Sequence, residues 1–287
     1  MLKTTVLLAF LTGLLIVIGS FFGGVKGMVI MFIVAMLMNF VSYWFSDKIV
    51  LTMYGAHEVT AEQAPDLIRM VSSLVQKGKI PMPRVYIVDT DVPNAFATGR
   101  NPEHGVVAVT TGIMRALSYE ELQGVVAHEL AHIKKRDTLI STIVATIAGA
   151  ITMIANIAQW AAIFGGGRSR DEEGGGGAGV IEMIFMMVLA PLAATLIQLA
   201  ISRTREYQAD EAGGIMAGNP LSLASALKKI EYYAQRGELP EATPATSHLF
   251  IVNPFSGADS WITSLFSTHP ATEQRVAKLE ELARRMR

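Results

Sequence analysis

The chain has 287 residues, 51% hydrophobic and 17% charged, with a mean hydropathy of +0.38 and a formal net charge of −1. Soluble globular chains rarely read this apolar, and a near-neutral chain with no basic, aromatic-interleaved patch offers nothing in favour of nucleic acid, so no nucleic-acid partner is expected. Cysteine is absent, which excludes disulfides, thiolate metal sites and a cysteine nucleophile, so any metal must be held by His, Glu or Asp.

In chain order, four stretches stay free of charge for long enough to cross a bilayer, which takes about 20 residues. They are 4–25, 27–46, 138–167 and 183–202. The first follows Lys3 as a signal peptide would, but no small-x-small cleavage site follows it and a second span begins almost at once. The pair therefore reads as an uncleaved helical hairpin turning at Gly23 and Gly24. Lys134, Lys135 and Arg136 precede the third stretch, and Arg203 and Arg205 follow the fourth. The loop between them, GGGRSRDEEGGGGAG at 165–179, sets two cations against three acids. The positive-inside rule then places 47–137, 203–287 and both termini in the cytoplasm.

Between the second and third stretches, Pro65, Leu67, Ile68, Val71, Leu74 and Val75 line one face of a helix that ends near Gly78. PRVYIVDT, NAFATGR and HGVVAVTTGIM are short, apolar or β-branched, and bounded by turn residues. They predict three strands of a small sheet. Ser118 with Glu121 forms a capping box before an apolar run. The helix it starts meets no breaker through His132, and its pattern extends into the third stretch. Beyond the fourth stretch, Asn219 caps a helix with Pro220 at its first position and Gly237 as its stop. Residues 238–268 are loop-rich, with Pro240, Pro244 and Pro254, and an amphipathic helix follows Pro270.

The chemistry concentrates in His-Glu-Leu-Ala-His, 128–132. His128 and His132 stand one turn apart on one helical face, so one ion can take both imidazoles without bending the helix. Glu129 lies about 100° further round, off the ligand line but close to a metal-activated water. That is where a general base is needed. Roughly 0.007 chance matches are expected in a chain of this composition. The plainer reading is a helix whose two histidines only hydrogen-bond internally.

A third donor must come from His57, His104, His248, His269 or a carboxylate. Glu206 and Asp210 in REYQAD are again four apart. Glu206 can reach a metal, while Asp210 can fix the tautomer of a ligand imidazole. The alternative is a solvated polar helix at the membrane edge. Thr138 lies six residues past His132, and Ser202 four before Glu206. An antiparallel pair of helices between them would bring the two motifs together.

HELAH, REYQAD and THPATEQRV in this order resemble the HtpX family of bacterial membrane zinc endopeptidases, which is grouped with the CAAX prenyl proteases. The resemblance covers nearly the whole chain. It implies His128, His132 and Glu206 as ligands of one zinc ion, Glu129 as base, and a substrate-binding edge strand over Asn94, Ala95, Phe96 and Ala97. It implies unfolded or damaged membrane proteins as substrates and a multi-pass place in the bacterial inner membrane, with the active site facing the cytoplasm. In that family the third and fourth hydrophobic segments need not cross fully.

The fold expected is mainly α: an integral membrane protein of four hydrophobic helices with a cytoplasmic α+β catalytic domain of zincin type, its small sheet placed before the HExxH helix. Residues 1–46 form the first membrane hairpin, 47–137 the catalytic part, 138–202 the second hairpin, and 203–287 the part that completes the zinc site. His269 is the candidate second donor to a tetrahedral oxyanion, and Arg275 is expected to pair with an acid such as Asp210. Competing readings are a metal-binding membrane scaffold, which has no use for Glu129, and a four-span transporter. The spans carry no internal charge to support a transporter.

Overall fold

The structure, a computed structural model, describes residues 2–140, 143, 203–236, 249–252 and 270–287. The chain opens with α1, Leu2–Met53, which bends at Gly23 and Gly24 into two arms. Gly24 takes φ 54, a left-handed conformation that glycine adopts without steric cost. Just beyond the bend the arms nearly touch: a Cβ on Gly19 would lie 2.4 Å from the Gly27 carbonyl oxygen. Further along, Asn39 Nδ2 donates to Thr12 Oγ1 at 2.9 Å. The two arms of α1 therefore pack side by side, the second running on to Met53 beyond the expected end at 46. Among the described residues one segment, Gly23–Phe45, is long and apolar enough to cross a membrane. The third and fourth charge-free stretches lie almost wholly outside the described residues, as do the loop at 165–179 and most of 238–268.

The sheet has four strands: β1 His57–Glu58, β2 Arg84–Val88, β3 Ala95–Thr98 and β4 Val106–Thr110, in the order β1-β2-β4-β3. β2 and β4 are parallel, and the outer pairs are antiparallel. β4 is buried along its whole length, as its unbroken Val-Val-Ala-Val requires of a strand covered on both faces. The third predicted strand is only half right. Thr110 Oγ1 accepts from Ile113 N–H at 3.0 Å and caps a helix, α3 Thr111–Ala116, so the TTGIM portion is helical.

Helix α2, Pro65–Gly78, buries Leu67, Met70, Val71, Leu74 and Val75. Helix α4, Tyr119–Lys135, starts with the Ser118–Glu121 capping box. Glu121 also accepts from Lys229 Nζ and Ser225 Oγ, each at 2.7 Å, tying the start of α4 to a later helix. The expected run of α4 into the third stretch is broken. Arg136 is left-handed (φ 61, ψ 32) and its N–H returns to the His132 and Ile133 carbonyls. Asp137 is thereby turned back toward the helix, and its N–H also bonds the His132 carbonyl, at 3.0 Å.

After the undescribed stretch come α5, Arg203–Ala217, α6, Pro220–Gln235, and α7, Thr272–Arg285. Asn219 caps α6 as read from the sequence, accepting from Leu221 N–H at 3.1 Å. The main core joins one sheet face (Val85, Val107, Val109) to α2, α4, α6 and α7 through Leu74, Leu130, Leu227 and Leu279. On the other face, Val50 and Leu51 of α1 pack with Tyr86, Val88, Phe96 and Leu249. The apolar arm of α1 thus continues directly into the folded domain. The observed class is mostly helical with a small mixed sheet.

Candidate active site

Helix α4 carries His128 and His132 at the four-residue spacing that stacks their rings on one face, with Nε2 atoms 3.2 Å apart. Helix α5 crosses α4 closely because Gly213 has no side chain: a Cβ there would lie 2.7 Å from His128 N. The crossing delivers Glu206, whose Oε1 lies 3.5 Å from His132 Nε2 and Oε2 3.8 Å from His128 Nε2. Two donors held tetrahedrally at zinc–nitrogen bond lengths stand about 3.4 Å apart. The three observed separations bracket that value, so the donor set suits a tetrahedral metal with one position left open. Among the described residues this is the one group of three or more such side chains placed to hold an ion. His57 faces Asp89 at 3.7 Å and His104 bonds Asn101 and Arg100. His248 and His269 lie outside the described residues.

Behind the donors lies a buried charged layer. Asp210, one turn beyond Glu206, has Oδ1 2.9 Å from His128 Nδ1. It also takes a two-pronged bond from Arg275, Nη2 to Oδ1 at 2.7 Å and Nε to Oδ2 at 2.8 Å. Arg275 is fully buried, and its Nη1 donates to the Ile251 carbonyl at 2.6 Å. Burial pushes the Asp210 carboxyl up, but the Arg275 charge and the bonds from Arg275 and His128 outweigh it and hold it at about 2. Burial pushes His128 down against Asp210, with His132 and Arg275 adding to the fall. A neutral His128 with its proton on Nδ1, the nitrogen facing Asp210, keeps its Nε2 lone pair free for a metal.

Burial likewise disfavours charge on His132, yet Asp137's bond and the charges of Glu206, Glu129 and Asp137 lift it to about 9. Its Nδ1 lies 3.5 Å from Asp137 Oδ2. Glu129 is buried, and burial pushes its carboxyl up to about 7, against the charge of His132 and a hydrogen bond from the Ala97 N–H. That is the range in which a general base both accepts and releases a proton near neutrality.

Ala97 belongs to β3, which has β4 on one side and, among the described residues, no strand on the other. A hydrogen bond from the Ala97 N–H links this strand to the Glu129 carboxyl. Asn94 anchors the start of the strand: its N–H donates to Thr110 Oγ1 at 2.9 Å and its Nδ2 to the Leu249 carbonyl at 3.2 Å. Ala95, Phe96 and Ala97 are buried, with Phe96 turned to the α1 face.

The structure therefore brings together His128, Glu129, His132, Glu206, Asp210, Arg275 and the strand from Asn94 to Ala97; His269 is outside the described residues. Sequence reasoning missed Asp137, which was absorbed into the flank of a span although it directly follows the three cations. It also missed Gly213, whose signal was a Gly pair three residues after Asp210, and the stretch 249–252, whose carbonyls are used without any telling side chain.

Residues 61–283 match Peptidase family M48. The Protease HtpX homolog of Thermodesulfovibrio yellowstonii is 58% identical over 284 residues, 99% of each chain. That of Pyrococcus furiosus is 55% identical over 284 residues, 99% of this chain and 96% of its own, and that of Aquifex aeolicus 55% over 276, 96% and 90%. The crystal structure of S. mikatae Ste24p is similar at 18% identity and a TM-score of 0.47, over 88% of this chain and 57% of that one. With a family match across most of its length and relatives above half identity end to end, the chain belongs to Peptidase family M48 and is a metallopeptidase.

Proposed function

We propose that the chain is a zinc endopeptidase of the cytoplasmic membrane that cuts unfolded or damaged membrane proteins. The observation that carries this is the close set of His128, His132 and Glu206 donors with buried Glu129 beside them. One zinc ion per chain suits an all His/Glu donor set, and when bound it supplies a Lewis acid that polarises a carbonyl and acidifies a water. Glu129 takes the proton from the attacking water and passes it to the leaving amine. Ala97's N–H holds the Glu129 carboxylate on the side facing β3. Asp210, held by Arg275, orients His128, and Asp137 orients His132. An extended peptide adds along the free side of β3 through main-chain bonds, which tolerate many sequences. His269 is assigned to the developing oxyanion. The four-part division of the chain, the second membrane hairpin and the cytoplasmic placement of both termini are part of this proposal, supported by the charge flanks of the spans.

Two substitutions test it on purified protein, with metal content and casein cleavage as readouts. Glu129→Ala should keep one metal per chain and lose cleavage by about 10²–10⁴-fold. Glu206→Gln should lose metal and cleavage together. Cleavage surviving in Glu129→Ala would remove the base assignment. Full metal retention in Glu206→Gln would remove the third ligand. A metal-binding scaffold is not favoured, since it has no use for a buried carboxylate at Glu129.

A further inference from the structure

One end of the sheet is tied to the segment long and apolar enough to cross a membrane. Arg84, Val106 and Thr98 share that end, because Arg84 pairs with Val106 and Val106 with Thr98. Three contacts leave it. Arg84 Nη2 meets Asp47 Oδ2 at 3.0 Å. The Arg100 guanidinium lies 4.8 Å over the Trp44 ring. The Gly99 carbonyl accepts from Thr138 Oγ1 at 2.9 Å. Trp44 stands at the close of the apolar segment Gly23–Phe45, where an aromatic ring marks the headgroup layer. Thr138 opens the third charge-free stretch. The close of the apolar segment and the start of the third charge-free stretch thus both meet the end of β3.

From Asp47 onward α1 runs along the sheet and away from the apolar segment, with the Tyr54 ring tilted against Phe96 at 5.1 Å between centroids. Strands β2 and β4 therefore head away from the bilayer, and β3 heads back toward it. Ala97, whose N–H reaches Glu129, is three positions before Arg100. At about 3.3 Å per extended residue, the catalytic carboxylate's contact is at most about 10 Å along the chain from the Trp44 contact.

We propose that this short reach selects the substrate: the enzyme takes polar segments that emerge from the bilayer beside the membrane-facing end of β3. It cuts them at a set distance, about three to five extended residues beyond an apolar helix, since β3 supplies about three residues' length and the Arg100 side chain the length of about two more. The inference rests on the endopeptidase reading and on β3 as the pairing edge. A chain anchored in the same bilayer reaches such a site without a long free loop. Its short tether gives an effective concentration on the order of millimolar, which a soluble chain lacks. Selection is then by distance from the membrane and not by side-chain sequence.

The test uses the full-length protein in liposomes with anchored substrates. Each has one apolar helix and a long unstructured polar tail, attached by either end of the tail, in two unrelated tail sequences. Cut sites are mapped by mass spectrometry before and after a flexible insert is placed between the helix and the original cut. Detergent-solubilised enzyme with casein serves as the activity control. Cuts should stay about three to five residues from the helix in both tail sequences and after the insertion, so the cleaved bond changes with the insert. Casein cut while the anchored tails are either left whole or cut at bonds that travel with the inserted sequence would overturn the proposal and leave the endopeptidase reading standing. Neither casein nor tails cut would remove that reading and the proposal with it.

Discussion

Asp210 faces two partners at once, His128 at 2.9 Å and the Arg275 fork at 2.7 and 2.8 Å. Asp210→Asn keeps the shape but removes the charge, leaving Arg275 buried with Glu206 at 4.0 Å as its remaining acid among the described pairs. Losing one partner of a buried pair costs about 3–5 kcal/mol, and loss of a ligand's orienting group weakens metal binding about 10–100-fold. Thermal melting in chelator and metal titration should show both losses; an unchanged melting temperature would contradict the role given to the pair. At this scale the sequence was informative wherever spacing alone decides proximity. His128 and His132 share a helix face by arithmetic, as do Glu206 and Asp210. Asp137 was not legible, because its place depends on Arg136 adopting a left-handed conformation without the Gly or Asn that usually signals one.

The crossing of α4 and α5 is the element that assembles the site, and Gly213 sets its closeness. Gly213→Ala would put a methyl 2.7 Å from His128 N, against backbone that cannot swing aside. Overpacking of this kind costs about 1–3 kcal/mol. The relief open to it is a wider crossing that carries Glu206 off the imidazoles. The variant should melt lower in chelator and bind metal more weakly than the parent, both readable by calorimetry. An unaltered metal affinity would mean that α5 is not positioned by this contact. Capping signals were read correctly at Ser118 and Asn219, because a cap is a local hydrogen bond. The boundary between β4 and α3 was not, because Thr110 both ends a strand and caps a helix. Apolar residues on either side of it satisfy both patterns.

For the molecule as a whole, metal and protons compete for the same buried site. In the metal-free protein His132 is raised to about 9 from 6.5. Its charged form therefore stabilises the metal-free fold fully below about pH 6.5, and that contribution is lost as pH rises through about 9. A metal takes the proton's place on the ring. Binding at pH 8 should release about one proton from His132 per chain, and affinity should rise as pH climbs toward 9. Titration calorimetry in buffers of different ionisation enthalpy measures the release directly. A binding enthalpy independent of buffer would contradict it. The same coupling makes metal removal a change in folding stability as well as in activity, since the site joins α4 to α5 across the core.

By itself the sequence determined what is periodic or short-range. This includes the apolar hairpin, the capped helix bearing HELAH, the strand-like runs before it, and a chemistry confined to His, Glu and Asp by the lack of cysteine. Spacing and the return of the chain through an antiparallel hairpin singled out Glu206 as a candidate, and family likeness implied its pairing with the two histidines. Only the tertiary structure decided how the distant pieces meet. It set the crossing at Gly213, the Arg275 bridge behind His128, the turn that presents Asp137, and the placement of β3's end against Trp44 and Thr138. The physical reason is that helix and strand periods act over a few residues, whereas these contacts arise from close packing between segments far apart in the chain, where a missing side chain or one reversed φ sets the geometry.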